Sequence, residues 1–527
     1  MNRYFNTEGS CRPKEHYMVN LGSRLQEIRT YYINRGKYFV INRGRQYGKT
    51  TTLQLLANDL KPDYLVIAMD FQEIGSADFQ DEASFSIVFA KIFLRACQQM
   101  RPNDYETLAR PVSDFLLEKE RHTLQELFTR LSVVCKDSPQ PAVLIIDEVD
   151  NAGNHQVFLD FLALLRTYYL DRENKPTFQS VVLAGVYDIK NLKRKIRPDS
   201  EHQYNSPWNI AADFDIPMGF TAKQIQDMLL EYEADSRTGM DTAAVAEEIW
   251  QYTSGYPYLV SALCKLLDEK IARTTDPKHA WTAHGIAEAV KLLLSKSRPL
   301  FESMIKQLTE YPEMKHMLHL ILFEGKQVNY NPYHPIVNLA SMFGYIINKN
   351  NSIQITNRIF ELCLYRLFLS EEELSNAIYN EAQGNRNQFT EGGRLNMDLV
   401  LERFAVCFHD IYGDNSEPFV EQYGRKFFLL FLTPIINGSG NYYIEAQTRD
   451  ARRTDVIVDY LGERFVVEMK IWHGNEYHER GEAQLAGYLS YYHLTKGYLV
   501  SFNFNKNKQT GVRKIQIHGK EITEATI

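Results

Sequence analysis

The chain has 527 residues, more than a single hydrophobic core accommodates, so several domains are expected. Hydrophobic residues make up 44% and charged residues 24%, the balance of a soluble globular protein, and the net charge of -7 gives no support to a general nucleic-acid coat while leaving room for a local basic groove. The six cysteines form no CxxC pair, which argues against a zinc module or a disulfide framework, and no apolar run reaches the roughly 18–20 residues of a membrane span. With no apolar centre of a signal peptide in MNRYFNTEGSCRPKEHY, a cytoplasmic protein with no membrane partner is expected.

In chain order, KYFVI (37–41) predicts a buried strand, and NRGRQYGKTT follows at once, leading into the helical run TTLQLLANDL. A second strand, YLVIAMDF (64–71), precedes helices to about residue 135. Then come AVLIIDEVD (142–150), a helix around FLDFLALLRTYYL, and the strand SVVLAGVYD (180–188). Strands alternating with helices imply βαβ units and a parallel sheet. The pattern from about Phe220 to Ser297 is helical throughout. Residues 300–370 give two or three helices and then MFGYIINKNNSIQITN, which suits the wing of a small winged-helix unit. A polar, glycine-rich stretch follows, and the last segment turns from helices to strands after Pro434. The expectation is an α/β multidomain chain. Its segments are an amino-terminal segment (1–30), a P-loop core (31–217), a helical lid (218–297), a winged-helix-like unit (298–372), a linker (373–400) and a C-terminal α/β domain (401–527).

Gly44-Arg45-Gln46-Tyr47-Gly48-Lys49-Thr50, followed by Thr51, lies between a strand and a helix, as a phosphate-binding loop requires. Backbone N–H groups of such a loop and the positive end of its helix cradle phosphates. Lys49 would reach the terminal phosphates of ATP and the Thr50 hydroxyl would ligate Mg²⁺. The glycine usually found six residues before the lysine is Arg43 here, with Gly44 displaced by one. AVLIID places Asp147 at the carboxyl end of an apolar strand with Glu148 next, so Asp147 can hold the magnesium shell and Glu148 can polarise a water. Arg194 and Arg197 suit either γ-phosphate contacts, including fingers in a homo-oligomer, or a solvated basic face.

GRQYGKTT, LIIDEVD, LAGVYDIKNL and TSGYPYLVSALC together resemble the AAA-like P-loop ATPases of bacteria related to the STAND class. That resemblance implies that Gly255-Tyr256-Pro257, with Pro257 foremost, lies near the nucleotide. GNYYIEAQTRDARRTDVIVDY, FVVEMKIW and QLAGYL resemble the PD-(D/E)XK nuclease-like domain. The resemblance implies a metal site, with Asp455 and Glu468 converging on Mg²⁺ or Mn²⁺, Lys470 assisting, Gln484 and Tyr488 nearby, and Glu421 as a further acid. Period-two alternation puts Glu468 and Lys470 on one face of their strand. Against this stands a solvated hairpin carrying surface ion pairs. In favour is VVEMKIW, where charges interrupt a bulky apolar run and burial needs a compensating ion or partner. The expected activity is ATP-controlled cleavage of DNA or RNA, in defence or mobile-element biology by family analogy. The alternative is a nucleotide-controlled switch whose nuclease fold binds without cutting.

Overall fold

The computed structural model describes residues 3–98, 102–118, 122–186, 208–274, 276–323, 326–373, 376–412, 421–437, 439–444, 456–471, 485–490, 494–503 and 510–527. The chain divides into two compact units. The first comprises Met1–Phe220 with Tyr256–Ser261 and Met342–Gly344; the second comprises Thr221–Gly255, Ala262–Ser341 and Tyr345–Ile527.

The first unit is built on four parallel strands, β1 (Tyr38–Asn42), β2 (Leu65–Asp70), β3 (Ala142–Asp147) and β4 (Ser180–Gly185), in the order β1-β4-β3-β2. Alternate side chains of these strands enter two different apolar clusters, as the pleat dictates. Tyr38, Val40, Leu144, Ile146, Val181 and Leu183 join the helices Glu82–Cys97, Leu124–Asp137 and Gln156–Leu170 on one face. Phe39, Ile41, Val143, Ile145, Val182 and Ala184 join the helices Gly22–Ile28 and Lys49–Leu60 and the segment around Phe214 on the other. Burial on both faces is why these strands are continuous apolar runs. The same order sets the carboxyl ends of all four strands side by side, the edge where open parallel sheets bind ligands.

In the second unit, helices Ala222–Ser236, Thr242–Thr253 and Ala283–Leu294 are N-capped by Thr221, Asp241 and Thr282. Helices Pro299–Glu310 and Pro312–Phe323 follow, then the helix Pro335–Met342 up to Ser341, and an antiparallel hairpin of β5 (Ile346–Lys349) and β6 (Ser352–Ile355). The stretch expected as a linker, 373–400, carries a helix, Ala377–Asn385, and a hairpin of β7 (Thr390–Glu391) and β8 (Arg394–Leu395). Gly392 and Gly393, at φ 58° and 80°, form the hairpin turn, and Phe389 is buried with its ring centroid 5.8 Å from that of Phe431. Glycines that suggest flexibility in the sequence are here turn formers.

The C-terminal sheet has six strands: β9 (Gly440–Ile444), β10 (Val456–Tyr460), β11 (Glu463–Ile471), β12 (Lys496–Phe502), β13 (Gly511–Ile517) and β14 (Lys520–Thr526). Their order is β13-β14-β12-β11-β10-β9, with β11, β12 and β14 mutually parallel. Helices Met397–Tyr412 and Glu421–Ile436 pack on one face, through Phe408 against Phe502. A helical turn at 485–490 covers the other, where a Cβ on Gly497 would stand 2.7 Å from Leu489 Cδ1. A Cβ on Gly424 would stand 2.4 Å from the buried Phe502 ring. Gly424→Ala should therefore destabilise the second unit by about 1–3 kcal/mol, as overpacking does. Urea unfolding followed by tryptophan fluorescence measures it, and an unchanged midpoint would refute this close packing.

Candidate functional site

β1 ends at Asn42 and the chain turns through residues 43–48 into the helix Lys49–Leu60, with Gln46 (φ 55°) and Gly48 (φ 77°) left-handed. Left-handed residues in a short loop turn successive N–H groups inward, which makes an anion-binding concavity ahead of the helix dipole. Lys49 is buried, and its Nζ donates to the carbonyl oxygens of Arg43 (2.9 Å) and Gly44 (3.1 Å). Thr50 Oγ1 donates to Asp147 Oδ2 at 2.7 Å, and Thr51 Oγ1 accepts from the Cys11 amide at 3.1 Å. Arg43 turns away from the loop: its guanidinium donates to the Asn42, Phe214 and Ile216 carbonyls and lies 5.6 Å from the Phe214 ring centroid. The arginine in the glycine position thus anchors the neighbouring segment and leaves the loop backbone open.

Other parts of the first unit close on the loop. The Tyr256 hydroxyl donates to the Arg45 carbonyl, and the Tyr47 and Tyr256 rings meet edge to face at 4.5 Å. A Cβ on Gly48 would stand 3.8 Å from Pro257 Cβ, so Pro257 reaches the loop. A Cβ on Gly44 would stand only 2.5 Å from the Phe343 carbonyl oxygen, which restricts this position to glycine.

Acids line the carboxyl ends of β2 and β3, where Asp70 and Asp147 are partners in register. The second oxygen of Asp147 accepts from the Glu148 amide at 2.9 Å. Glu148 is left-handed at φ 54°, a conformation that costs a residue with a side chain about 1–2 kcal/mol and points to a functional constraint. Asp150 Oδ2 accepts from the Val186 amide at 2.7 Å and so ties the end of β4 to the same edge. Burial raises the Asp147 carboxyl above its ordinary value, against the Thr50 hydrogen bond, and raises Glu148 with help from the Asp147 charge. Burial also lowers the Lys49 ammonium, against the attraction of Asp150, Glu148 and Asp147. The oxygen donors of Thr50 and Asp147 fit a hard divalent cation such as Mg²⁺.

In the C-terminal sheet, Glu468 is fully buried on β11 and Lys470 Nζ lies 3.1 Å from its Oε1. Asp455, Gln484, Arg194 and Arg197 lie outside the described residues, as does the side chain of Glu421, which opens a helix. Tyr488 is buried in the helical turn at 485–490. Among the described residues no three His, Cys, Asp or Glu side chains form a metal-sized group. Sequence reasoning missed Asp150, although it stands inside DEVD, and missed the Tyr256 and Phe343 contacts, which carry no local signal.

Because folding raises the Asp147 carboxyl, its stabilising contribution is complete below its unfolded pKa and is lost as pH rises through the folded one. Asp147→Asn retains an acceptor for Thr50 and removes the buried charge. Without nucleotide and in EDTA, its melting temperature should gain on that of the unsubstituted protein as pH rises from about 4 to about 7. A difference constant across that range would show that Asp147 titrates normally.

No curated protein matches the sequence. Among solved structures, the chain is similar to the Walker-type ATPase PABY2304 of Pyrococcus abyssi, at 14% identity and a TM-score of 0.46, over 68% of this chain and 99% of that one. It is also similar to Cdc6p from Pyrobaculum aerophilum, at 13% identity and a TM-score of 0.33, over 69% and 97% of the two chains. The RuvB Holliday junction branch migration motor of Thermotoga maritima is similar at 12% identity and a TM-score of 0.31, over 64% and 92%. The family model described as AAA-like domain matches residues 8–371, and the chain belongs to that family, with the nucleotide loop and acid-tipped strand of a P-loop ATPase.

Proposed function

We propose that this protein is a Mg-ATP-dependent ATPase whose nucleotide state controls a metal-dependent PD-(D/E)XK nuclease-like domain, residues 401–527, acting on nucleic acid. In this reading 218–297 serves as the lid and 298–372 as a winged-helix unit. The observation that carries the ATPase reading is the Thr50–Asp147 hydrogen bond of 2.7 Å, made beside the buried Lys49. It sets a hydroxyl and a carboxylate together at the mouth of a phosphate-binding loop. The nuclease reading is supported by Glu468 and Lys470, an acid and a lysine side by side on a buried strand.

The loop amides and Lys49 bind and orient the β- and γ-phosphates. Glu148, held above the ordinary carboxylate range, orients a water and takes its proton. At the second site Asp455 and Glu468 supply oxygens for a divalent ion, and Lys470 offers positive charge to a phosphodiester oxygen. Bound Mg²⁺, or Mn²⁺ at the second site, supplies electrostatic stabilisation of the charge that builds on phosphate oxygens.

Lys49→Ala should lower ATP turnover by about 100-fold or more and abolish nucleotide-dependent stabilisation, whereas Glu148→Gln should bind ATP and lose turnover. Fluorescent-nucleotide binding and phosphate release separate the two. Wild-type affinity and turnover in Lys49→Ala would remove the ATPase reading.

For the second site, millimolar Mg²⁺ or Mn²⁺ should raise the melting temperature of full-length Asp147→Asn, in which the first site has lost its carboxylate ligand. Glu468→Ala added to it should erase the increment. In the otherwise unsubstituted chain, Lys470→Ala should suppress cleavage of DNA or RNA. Intact ATP binding with neither metal stabilisation nor cleavage would favour a nucleotide-controlled binding protein instead.

A further inference from the structure

The register of the C-terminal sheet extends the Glu468 position into a row across four strands. Glu468 pairs with Leu499, Leu499 with Glu524, and Glu524 with Arg513. Paired residues of neighbouring strands stand on one face, so Arg513 and Glu524 share a face with Glu468 and, two residues along β11, with Lys470. Ser501 stands on that face too, paired with Lys470.

These side chains are joined. Glu524 is fully buried; its Oε1 accepts from Ser501 Oγ at 3.1 Å and its Oε2 from Arg513 Nε at 2.7 Å. Burying a carboxylate is costly unless hydrogen-bonded cationic partners offset it, and Arg513 is one. The Arg513 side chain nevertheless remains 61% exposed. Its guanidinium is therefore held through Nε while N–H donors remain available to solvent, and β13 is the edge strand of the sheet. A planar fork fixed in this way matches phosphate oxygens and loses little freedom on binding them. Three strand spacings put Arg513 about 14 Å from Glu468, or about four nucleotide rises of a duplex strand.

We propose that Arg513, oriented by Glu524 and Ser501, binds a backbone phosphate of nucleic acid a few nucleotides from the phosphodiester addressed by Glu468 and Lys470. The inference rests on the nucleic-acid reading of the C-terminal domain. It names a binding residue and two positioning residues that the D…ExK pattern does not contain.

The test uses the full chain and fluorescein-labelled DNA and RNA duplexes of one sequence, with Ca²⁺ replacing Mg²⁺ to suppress cleavage. Anisotropy is measured over a salt series. Arg513→Gln alone would leave the Glu524 charge buried without its cation, so the double variant Arg513→Gln/Glu524→Gln keeps the pair neutral. On whichever duplex the unsubstituted protein binds, the double variant should bind about 10-fold more weakly, and on DNA the slope of log affinity against log salt should fall by about 0.9, one phosphate contact. Arg513→Lys should retain the slope and lose part of the affinity, because an ammonium lacks the fork. A double variant that melts normally and matches the unsubstituted protein in affinity and slope would reduce Arg513–Glu524 to a structural ion pair, with nucleic-acid binding intact. Failure of the unsubstituted protein to bind either duplex would remove both this inference and the reading beneath it.

Discussion

The hydrogen bond between Thr50 and Asp147 ties the nucleotide loop to the sheet, and the first unit is arranged to make it possible. Thr50 lies in the first turn of the helix after β1, whereas Asp147 ends β3, 97 residues later in the chain. The two meet because four parallel strands, buried on both faces, bring their carboxyl ends to a common edge. Each face must be covered by helices, and one of those helices starts at the loop. The strained backbone of Glu148 and the ties made by Asp150 gather at the same edge. Burial that stabilises the sheet also sets the protonation of the acids at its end, so stability and chemistry there share one cause.

The second unit meets a different constraint. Its sheet buries Glu468 and Glu524 in positions one strand apart on either side of β12. Buried carboxylates are tolerated where cations stand beside them, here Lys470 and Arg513. The opposite face carries a polar network of its own beside its aromatic contacts, in which Asp398 accepts from Thr523 and Lys496 and lies 3.5 Å from Lys514.

What the sequence made legible was local. A strand, a glycine-bearing loop with Lys49-Thr50 and a helix form a contiguous signal, and Asp147 stands out because it ends an apolar run. Glu468 and Lys470 were legible for the same reason: charges inside a bulky strand need an explanation. The approach of Phe343 to Gly44 was hidden, since 299 positions separate the two residues and the contact is made by a main-chain oxygen. Glu524 was hidden because only strand register joins it to Glu468. The polar stretch around 380–396 suggested a linker because a tight hairpin uses the same glycines as a flexible tether. The deciding residue was Phe389, an apolar anchor whose partner lies in a distant helix.

The Cys11 amide donates to Thr51 inside the helix that begins at Lys49, which makes the amino-terminal segment part of the frame around the loop. The bond belongs to the main chain, so the side chain at position 11 can change without breaking it. The thiol is half-buried and burial pushes its pKa up, which slows alkylation at neutral pH. Once attached, a fluorophore at that residue would lie beside the first turn of the helix that follows the loop. An emission change on addition of nucleotide would then report occupancy of the loop in real time without a label on the nucleotide itself.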